Sequence, residues 1–325
     1  HATIDNSTIS AAGDLSVKAD ANQSISADVR ANSLGLGVGA GTAVGVSAAG
    51  VYTSNKIKND VLASVSGSSN VTAASADIYA VDLSTINATA KTSTLAAALG
   101  PSVSVAASIG LTLAFNEISS VIDANISGST LTTTGANGDI RVRANDTATI
   151  GTEASSASAA AAIGEIGVAV SGAGAYASNV ILSTTQAYVV NSTVSSADDF
   201  ELSAKATGTI RANIKSVAAA AAGGLVGVGV AIGVGIAKNY IGFTASGDAA
   251  SSQVLAYISG SALTVVGSFT QLARGISTIS ANVEAGAVAI AAGKFAVAGA
   301  GTGVSATNKI GQTIKAYIVN STGAH

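Results

Sequence analysis

The chain has 325 residues, with 15 Lys and Arg against 18 Asp and Glu, two His, and no Cys, Met or Trp. A formal charge of −3 with only 10% charged residues excludes the basic footprint that nucleic acid requires, and the lack of cysteine excludes disulfides, thiolate metal sites and cysteine nucleophiles. Hydrophobic residues make up 48% but aromatics only 4%, so the core must be built from Val, Ile, Leu and Ala.

The first predicted element is the hexapeptide "ATIDNS" at 2 to 7. Its Ala and Ile lie two apart and share one face, as in a half-buried strand, and the Asn that follows suits a left-handed turn. The hexapeptide returns as "ASVSGS" from Ala63, "ANISGS" from Ala124, "AYVVNS" from Ala187, "AYISGS" from Ala256 and "AYIVNS" from Ala316. Its closing serines, Ser7, Ser68, Ser129, Ser192, Ser261 and Ser321, are spaced by 61, 61, 63, 69 and 60 residues.

After each hexapeptide comes a second period-two segment, "DLSVKA" at 14 to 19 in the first instance, opened by Leu15, Ile78, Ile140, Phe200 and Phe269 in successive periods. An isoleucine recurs next, at Ile25, Ile86, Ile150, Ile210 and Ile279. A long apolar run follows, of which 216 to 239, "SVAAAAAGGLVGVGVAIGVGIAKN", is the extreme case. By length it would serve as a membrane helix, but large residues alternate with Gly or Ala, a period of two rather than 3.6. Turn signals also interrupt it in every period, at Gly39 to Thr42, Gly100-Pro101, Gly164-Glu165, Gly223-Gly224 and Gly293-Lys294. One helical crossing per period would moreover place identical segments alternately on the two sides of a membrane. The run is therefore predicted to be two strands joined at the glycine, buried on both faces as in the middle of a layered core.

Val44, Val105, Val168, Val228 and Val297 precede by eleven residues the last marker, Asn-x-Ile, whose asparagines are Asn55, Asn116, Asn179, Asn239 and Asn308. From each asparagine to the next closing serine is 13 residues, except 22 in the fourth period, which places an insertion within 242 to 253.

These markers predict an all-β protein, a β-solenoid of five repeats of about 61 residues: 8 to 68, 69 to 129, 130 to 192, 193 to 261 and 262 to 321. Each repeat is expected to hold about five or six strand segments. It winds either one wide, multi-layer coil or three coils of about twenty residues. Recurrent asparagine favours the wide coil, because only there would Asn55, Asn116, Asn179, Asn239 and Asn308 stack as a hydrogen-bonded ladder.

Candidate chemistry is thin. His1 and His325 are both terminal, which speaks against a catalytic or metal-binding histidine. Asp14, Asp77, Asp139 and Asp199 recur at strand starts, where turn residues are common. No catalytic residue, metal or cofactor is expected. "GLGVGAG" at 35 to 41 has the letters of a phosphate loop but lies inside a strand pattern. "TLTTTG" at 130 to 135 hints at an ice-binding face, yet no threonine column recurs. Sequons at Asn6, Asn191 and Asn320 fall on turns. One outward column, directly after the shared Ala, ends in Tyr188, Tyr257 and Tyr317; it is either a sugar-contacting face or cross-strand packing that shields the sheet.

The combination of A-x-Ile/Val-x-Asn/Gly-Ser, Asp-Φ-x-Φ-x-Ala and Val-x-Val…Asn-x-Ile resembles the repeat tracts of giant bacterial surface exoproteins, the filamentous-haemagglutinin-like and leukotoxin-type adhesins. That resemblance covers the whole chain and implies export, a long β-solenoid stalk and attachment to surfaces. Its implied partners are other copies in a fibre and a surface glycan or partner cell, with no membrane span. Absence of thiols fits an exported protein, and a chain that starts and stops in mid-pattern is expected to be an excerpt of a longer one. The rival expectation is a membrane-active toxin or pore that inserts its glycine-rich apolar hairpins, against which Glu165 and Lys294 at the hairpin tips tell mildly.

Overall fold

A computed structural model describes residues 1–324; His325 lies outside the described residues. It is all-β, with 82% of residues in strands and no helix. In chain order the strands are β1 (Ala2–Asp5), β2 (Thr8–Ser10), β3 (Leu15–Ala21), β4 (Ser24–Val38) and β5 (Ala43–Ser66). Next come β6 (Asn70–Ala73), β7 (Ala76–Leu99) and β8 (Val103–Ser127), then β9 (Thr130–Thr133), β10 (Ile140–Ile163) and β11 (Ile166–Val190). After β12 (Thr193–Ser196) and β13 (Phe200–Gly223), the returning strand is split into β14 (Val226–Ile241) and β15 (Gln253–Ser259). The series closes with β16 (Ala262–Val265), β17 (Phe269–Ala292), β18 (Phe295–Ile310), β19 (Thr313–Val319) and β20 (Thr322–Ala324).

These strands form three parallel sheets in stacked layers. The short strands β2, β6, β9, β12, β16 and β20 make one; β3 and β4 with β7, β10, β13 and β17 make the second; β1, β5, β8, β11, β14 and β15, β18 and β19 make the third. Their ladders join equivalent positions of successive periods: Asn55 lies opposite Asn116, Asn116 opposite Asn179, Asn179 opposite Asn239 and Asn239 opposite Asn308. Those offsets are 61, 63, 60 and 69 residues. Among the described residues no strand pairs with one about twenty residues on.

Where five or six short segments per period were expected, two strands of about 24 residues and one short strand are found. Period two continues unbroken through Ile86 or Ile150 because no turn former interrupts it. The expected insertion is an irregular loop between Ile241 and Gln253, closed by an antiparallel bridge of Phe243 with Ala249.

Each hexapeptide ends in the turn that its Asn or Gly suits. Asn6, Gly67, Gly128, Asn191, Gly260 and Asn320 all have positive φ, between 44° and 68°. In the second instance the turn carries one extra residue. Ser68 is itself left-handed, with φ of 65°, and Ser69 takes the place that the other closing serines hold.

The core narrows along the long strands. Beside the short-strand sheet it is filled by large side chains, among them Ile78, Ile126, Leu131, Ile140, Phe200 and Leu202. Farther out it holds the isoleucine rows around Ile86, Ile118, Ile150, Ile181 and Ile210, then alanines with few larger residues. The outermost cluster consists of alanines alone, such as Ala96, Ala106, Ala160, Ala169 and Ala220. There the two sheets approach so closely that a Cβ at Gly35 or Gly37 would run into the carbonyls of Val46 and Val44. A Cβ at Gly167 would stand 2.7 Å from the carbonyl oxygen of Gly223.

This convergence corrects the expectation that the apolar run is buried on both faces. Its inner face is made of Ala, Gly and Ser, and its large residues face outward: Leu34 is 71% exposed and Ile109 58%. Among the described residues nothing stacks on the outer faces, and the inner gap is too thin for Val or Leu. Since there is no helix among the described residues, none is long and apolar enough to cross a membrane.

Candidate functional site

The asparagine ladder lies on the inner face of the third sheet, in extended backbone. Asn55 Nδ2 donates to Asn116 Oδ1 at 2.8 Å, Asn116 to Asn179 at 2.9 Å, Asn179 to Asn239 at 2.8 Å and Asn239 to Asn308 at 2.8 Å. All four bonds point the same way along the stack. Thr152, across the core, accepts from Asn116 Nδ2 at 2.8 Å and donates to Asn179 Oδ1 at 2.6 Å. Asn179 and Asn239 are fully buried, so each amide needs these partners to offset its lost hydration.

A second ladder was not anticipated. The backbone N–H of each closing serine donates to the hydroxyl of the next: Ser7 to Ser69, Ser69 to Ser129, Ser129 to Ser192, Ser192 to Ser261 and Ser261 to Ser321, at 3.1 to 3.2 Å. Each hydroxyl, freed to donate, bonds a carbonyl of the preceding strand end, as Ser192 does to Val190 at 2.8 Å. The recurrence of serine was the signal for it.

Tyr188, Tyr257 and Tyr317 stack face to face on the outer surface, with ring centroids 5.1 and 5.2 Å apart and planes within 12° and 7°. Burial, then the neighbouring phenols Tyr188 and Tyr317, push the Tyr257 hydroxyl up to about 12. Burial likewise raises Tyr188. The Tyr188 and Tyr257 phenols therefore stay neutral donors at ordinary pH. In the first two periods Ser64 and Asn125 hold this column and bond each other at 2.7 Å.

Sequence reasoning missed three further features. Tyr52, Phe115 and Tyr176 form a second outward aromatic row, with successive centroids 5.5 Å apart. They alternate between two neighbouring columns, so no aromatic column is visible in the sequence. Arg143 grips Asp77 through both carboxylate oxygens at 2.9 and 2.8 Å and lies over the Tyr79 ring at 4.8 Å.

The third feature is a buried pair of carboxylates. Asp82 and Asp146 face each other in register on β7 and β10 and are 0% and 3% exposed. Asp82 accepts from Asn59 Nδ2 at 2.8 Å and from the Ser84 hydroxyl at 2.9 Å. Burial pushes the Asp146 carboxyl up to about 7; the Ser183 hydroxyl opposes this and the Asp82 carboxylate adds to it. Nearer the surface, burial and then Asp60 push Asp123 up to about 6. Among the described residues no three His, Asp or Glu side chains gather as a metal site.

On the outer face of the second sheet, Gly151 floors a polar depression of about 470 Å³ bordered by Asn87, Glu153, Arg211, Asn213 and Asn282. Its donors and acceptors suit hydroxyl-rich ligands.

The geometry defines a class, a parallel-β stack of repeat-like layers that fits a β-solenoid. No protein-family model matches the chain, and no curated protein or solved structure is significantly similar to it.

Proposed function

We propose that the chain is a β-solenoid of five repeats, each winding one wide coil of about 61 residues, and that it serves as the rigid stalk of an extracellular bacterial surface fibre or adhesin. The observation that carries this reading is the asparagine ladder, which runs through all five periods with one donor direction. Such a ladder gives each coil the same contacts above and below, the requirement for a structure whose use is length and stiffness. Work of this kind is mechanical, and no residue is assigned a catalytic role. A surface glycan or partner cell is the proposed target, with the tyrosine stack and the depression at Gly151 as contact surfaces. The test is antibody labelling of intact, unpermeabilised producing cells together with electron microscopy. Labelled filaments or stalks are expected; label that appears only after permeabilisation would overturn the reading.

A second reading is favoured by one observation, the exposed Leu, Ile and Val of the hairpin ends. It makes the chain membrane-active, and co-sedimentation with phospholipid vesicles is its direct measurement.

A further inference from the structure

The outer face of the third sheet carries a band without charge. Between Arg30 and Lys56, between Lys91 and Glu117 and between Lys215 and Lys238 no Asp, Glu, Lys or Arg occurs. From Val168 to Tyr176 on β11, and at the opposing positions of β5, β8, β14 and β18, outward residues are apolar, aromatic or small, and the hydroxyls among them are those of Tyr52, Tyr176 and Ser305. Charge begins only beyond them, at Lys238 and then at Lys56, Glu117 and Lys309.

The band is corrugated along its middle, between an all-valine column through Val44 and Val168 and a column that carries Tyr52 and Tyr176. One outward column reads Ala48, Ile109, Gly172, Ile232, Gly301 along the stack. The next reads Gly50, Leu111, Gly174, Val234, Gly303. Large residues therefore stand on the second and fourth periods, and small ones on the first, third and fifth. Ile109, Leu111, Ile232 and Val234 are all exposed and form two ridges. Gly172 and Gly174 floor the groove between them, with Ile109 and Leu111 as its wall: a Cβ built at each glycine would meet only Ile109 Cγ1 at 4.0 Å or Leu111 Cδ1 at 3.1 Å as its nearest side chain. The ridge spacing is two strand separations, about 9.6 Å.

We infer that this face docks a second copy of the chain, ridge into groove, about a two-fold axis parallel to the strands. That axis keeps the two glycine-bearing columns aligned across the interface and reverses the direction of stacking. A shift that sets the second period opposite the third, or opposite the fifth, places every ridge of these two columns over a groove, while the flanking valine columns meet as in an ordinary face-to-face sheet packing. A two-fold axis along the stack instead sets each ridge on its own copy, where they collide. Four overlapped strands by about eleven residues give a face of roughly 19 by 35 Å, on the order of 700 Å² per copy, close to the roughly 800 Å² of a stable interface. Interdigitated apolar sheets of this type pack densely and dry.

Lipid fits the same face less well. Acyl chains have no use for a fixed relief of about 9.6 Å. The inference depends on the register of the stack and not on export or adhesion, so cell-surface labelling and the following experiment fail independently.

The purified 325-residue chain is examined by sedimentation equilibrium with and without vesicles of phosphatidylcholine and phosphatidylglycerol. A discrete dimer at micromolar concentration is expected, and Gly172→Ile, which fills the groove, should weaken it at least about tenfold with the circular dichroism spectrum unchanged. If that variant does not fold, Ile109→Ala lowers a ridge on an exposed site and should weaken the dimer likewise. Because the chain has no cysteine, crosslinking reads the geometry directly. Ile109→Cys mixed with Gly172→Cys or with Gly301→Cys should form disulfide-linked dimers, and Ile109→Cys alone should not. A monomer, an association indifferent to both variants as end-to-end stacking would be, self-crosslinking of Ile109→Cys, or vesicle binding in place of the dimer would each overturn the inference.

Discussion

Asn116 and Asn179 lie opposite each other on neighbouring parallel strands, joined by an Nδ2–H···Oδ1 bond of 2.9 Å and bridged a second time through the Thr152 hydroxyl. Asn179 thus accepts from two side chains and donates to a third, whereas Asn55 and Asn308 at the two ends each have one ladder bond. Asn179→Ala should leave amide partners unsatisfied on both sides and cost roughly 1 to 3 kcal/mol; Asn55→Ala and Asn308→Ala should cost less. None of the five has positive φ, so Gly should not restore the loss. Thermal melting of the single variants checks this: equal losses at all five positions, largely rescued by Gly, would eliminate the ladder as a stabilising device.

Asp146 makes stability depend on pH in an unusual direction. Its carboxyl is pushed from an ordinary 3.8 up to about 7, chiefly by burial. An acid whose folded value is raised favours the folded state when protonated, so its penalty is absent below about pH 4, grows between pH 4 and 7 and is complete above. Asp146→Asn should therefore raise the melting temperature at pH 8, by an amount corresponding to at most a few kcal/mol, and leave it nearly unchanged at pH 4. The local slope of melting temperature against pH between 4 and 7 should flatten. A variant less stable than the parent at pH 8 would show that the carboxylate has a partner which holds it ionised.

What the sequence made legible was periodicity, and what it hid was the choice between two faces. The left-handed residues at Asn6, Gly128 and Asn191 follow from the letters, because few other residues adopt that conformation. The alignment of Asn55 with Asn116 and Asn179 follows from spacing once strands pair in register. Alternation in "GVGVAIGVGIA" assigns Gly227, Gly229 and Gly233 to one face and Val228, Val230 and Ile232 to the other, but does not say which is interior. Hydrophobicity alone would turn the valines inward; the close approach of two backbones turns them outward and takes the glycines and alanines inside. Asp82 and Asp146 were hidden for another reason. Ala21 and Ala206 flank them in register, so the column they occupy has no recurring letter.

That inversion is tested by two glycines on one strand. Gly167 and Gly172 both belong to β11, five residues apart and on opposite faces. A side chain at Gly167 would press on the carbonyls of Gly223 and Ala162, at 2.7 and 2.9 Å from its Cβ, and neither backbone has room to retreat. Gly167→Val should cost several kcal/mol, at or beyond the roughly 1 to 3 kcal/mol of ordinary overpacking. In the unassociated chain, at concentrations below those that form the dimer, Gly172→Val opens onto solvent and should be neutral or slightly stabilising, since a β-branched residue suits a strand better than glycine. Denaturant unfolding of the two variants measures the difference, and the reverse order would mean that the valines, not the glycines, face the core.

The period itself is tested by excision. Removing 69 to 129 joins Ser68 to Thr130, and the new junction Gly67-Ser68-Thr130 reproduces the native Gly128-Ser129-Thr130. β5 then lies where β8 lay, with Asn55 opposite Asn179 and Val44 opposite Val168, so every ladder closes in register. Because each period touches chiefly its neighbours, the shortened chain should stay soluble, keep its β spectrum and lose only a part of its melting temperature. Removing 69 to 98 instead joins the end of β5 to Leu99, deleting β6 and nearly all of β7. β10 then has no partner on that side, the inner alanines of β8 face nothing, and the exposed edges should drive aggregation. Circular dichroism and light scattering compare the two deletions: equal tolerance would show that the 61-residue period is not the unit that folds. The larger excision also brings Ala48 opposite Gly172 and removes the Ile109 ridge, so a soluble, folded, shortened chain should associate more weakly than the parent.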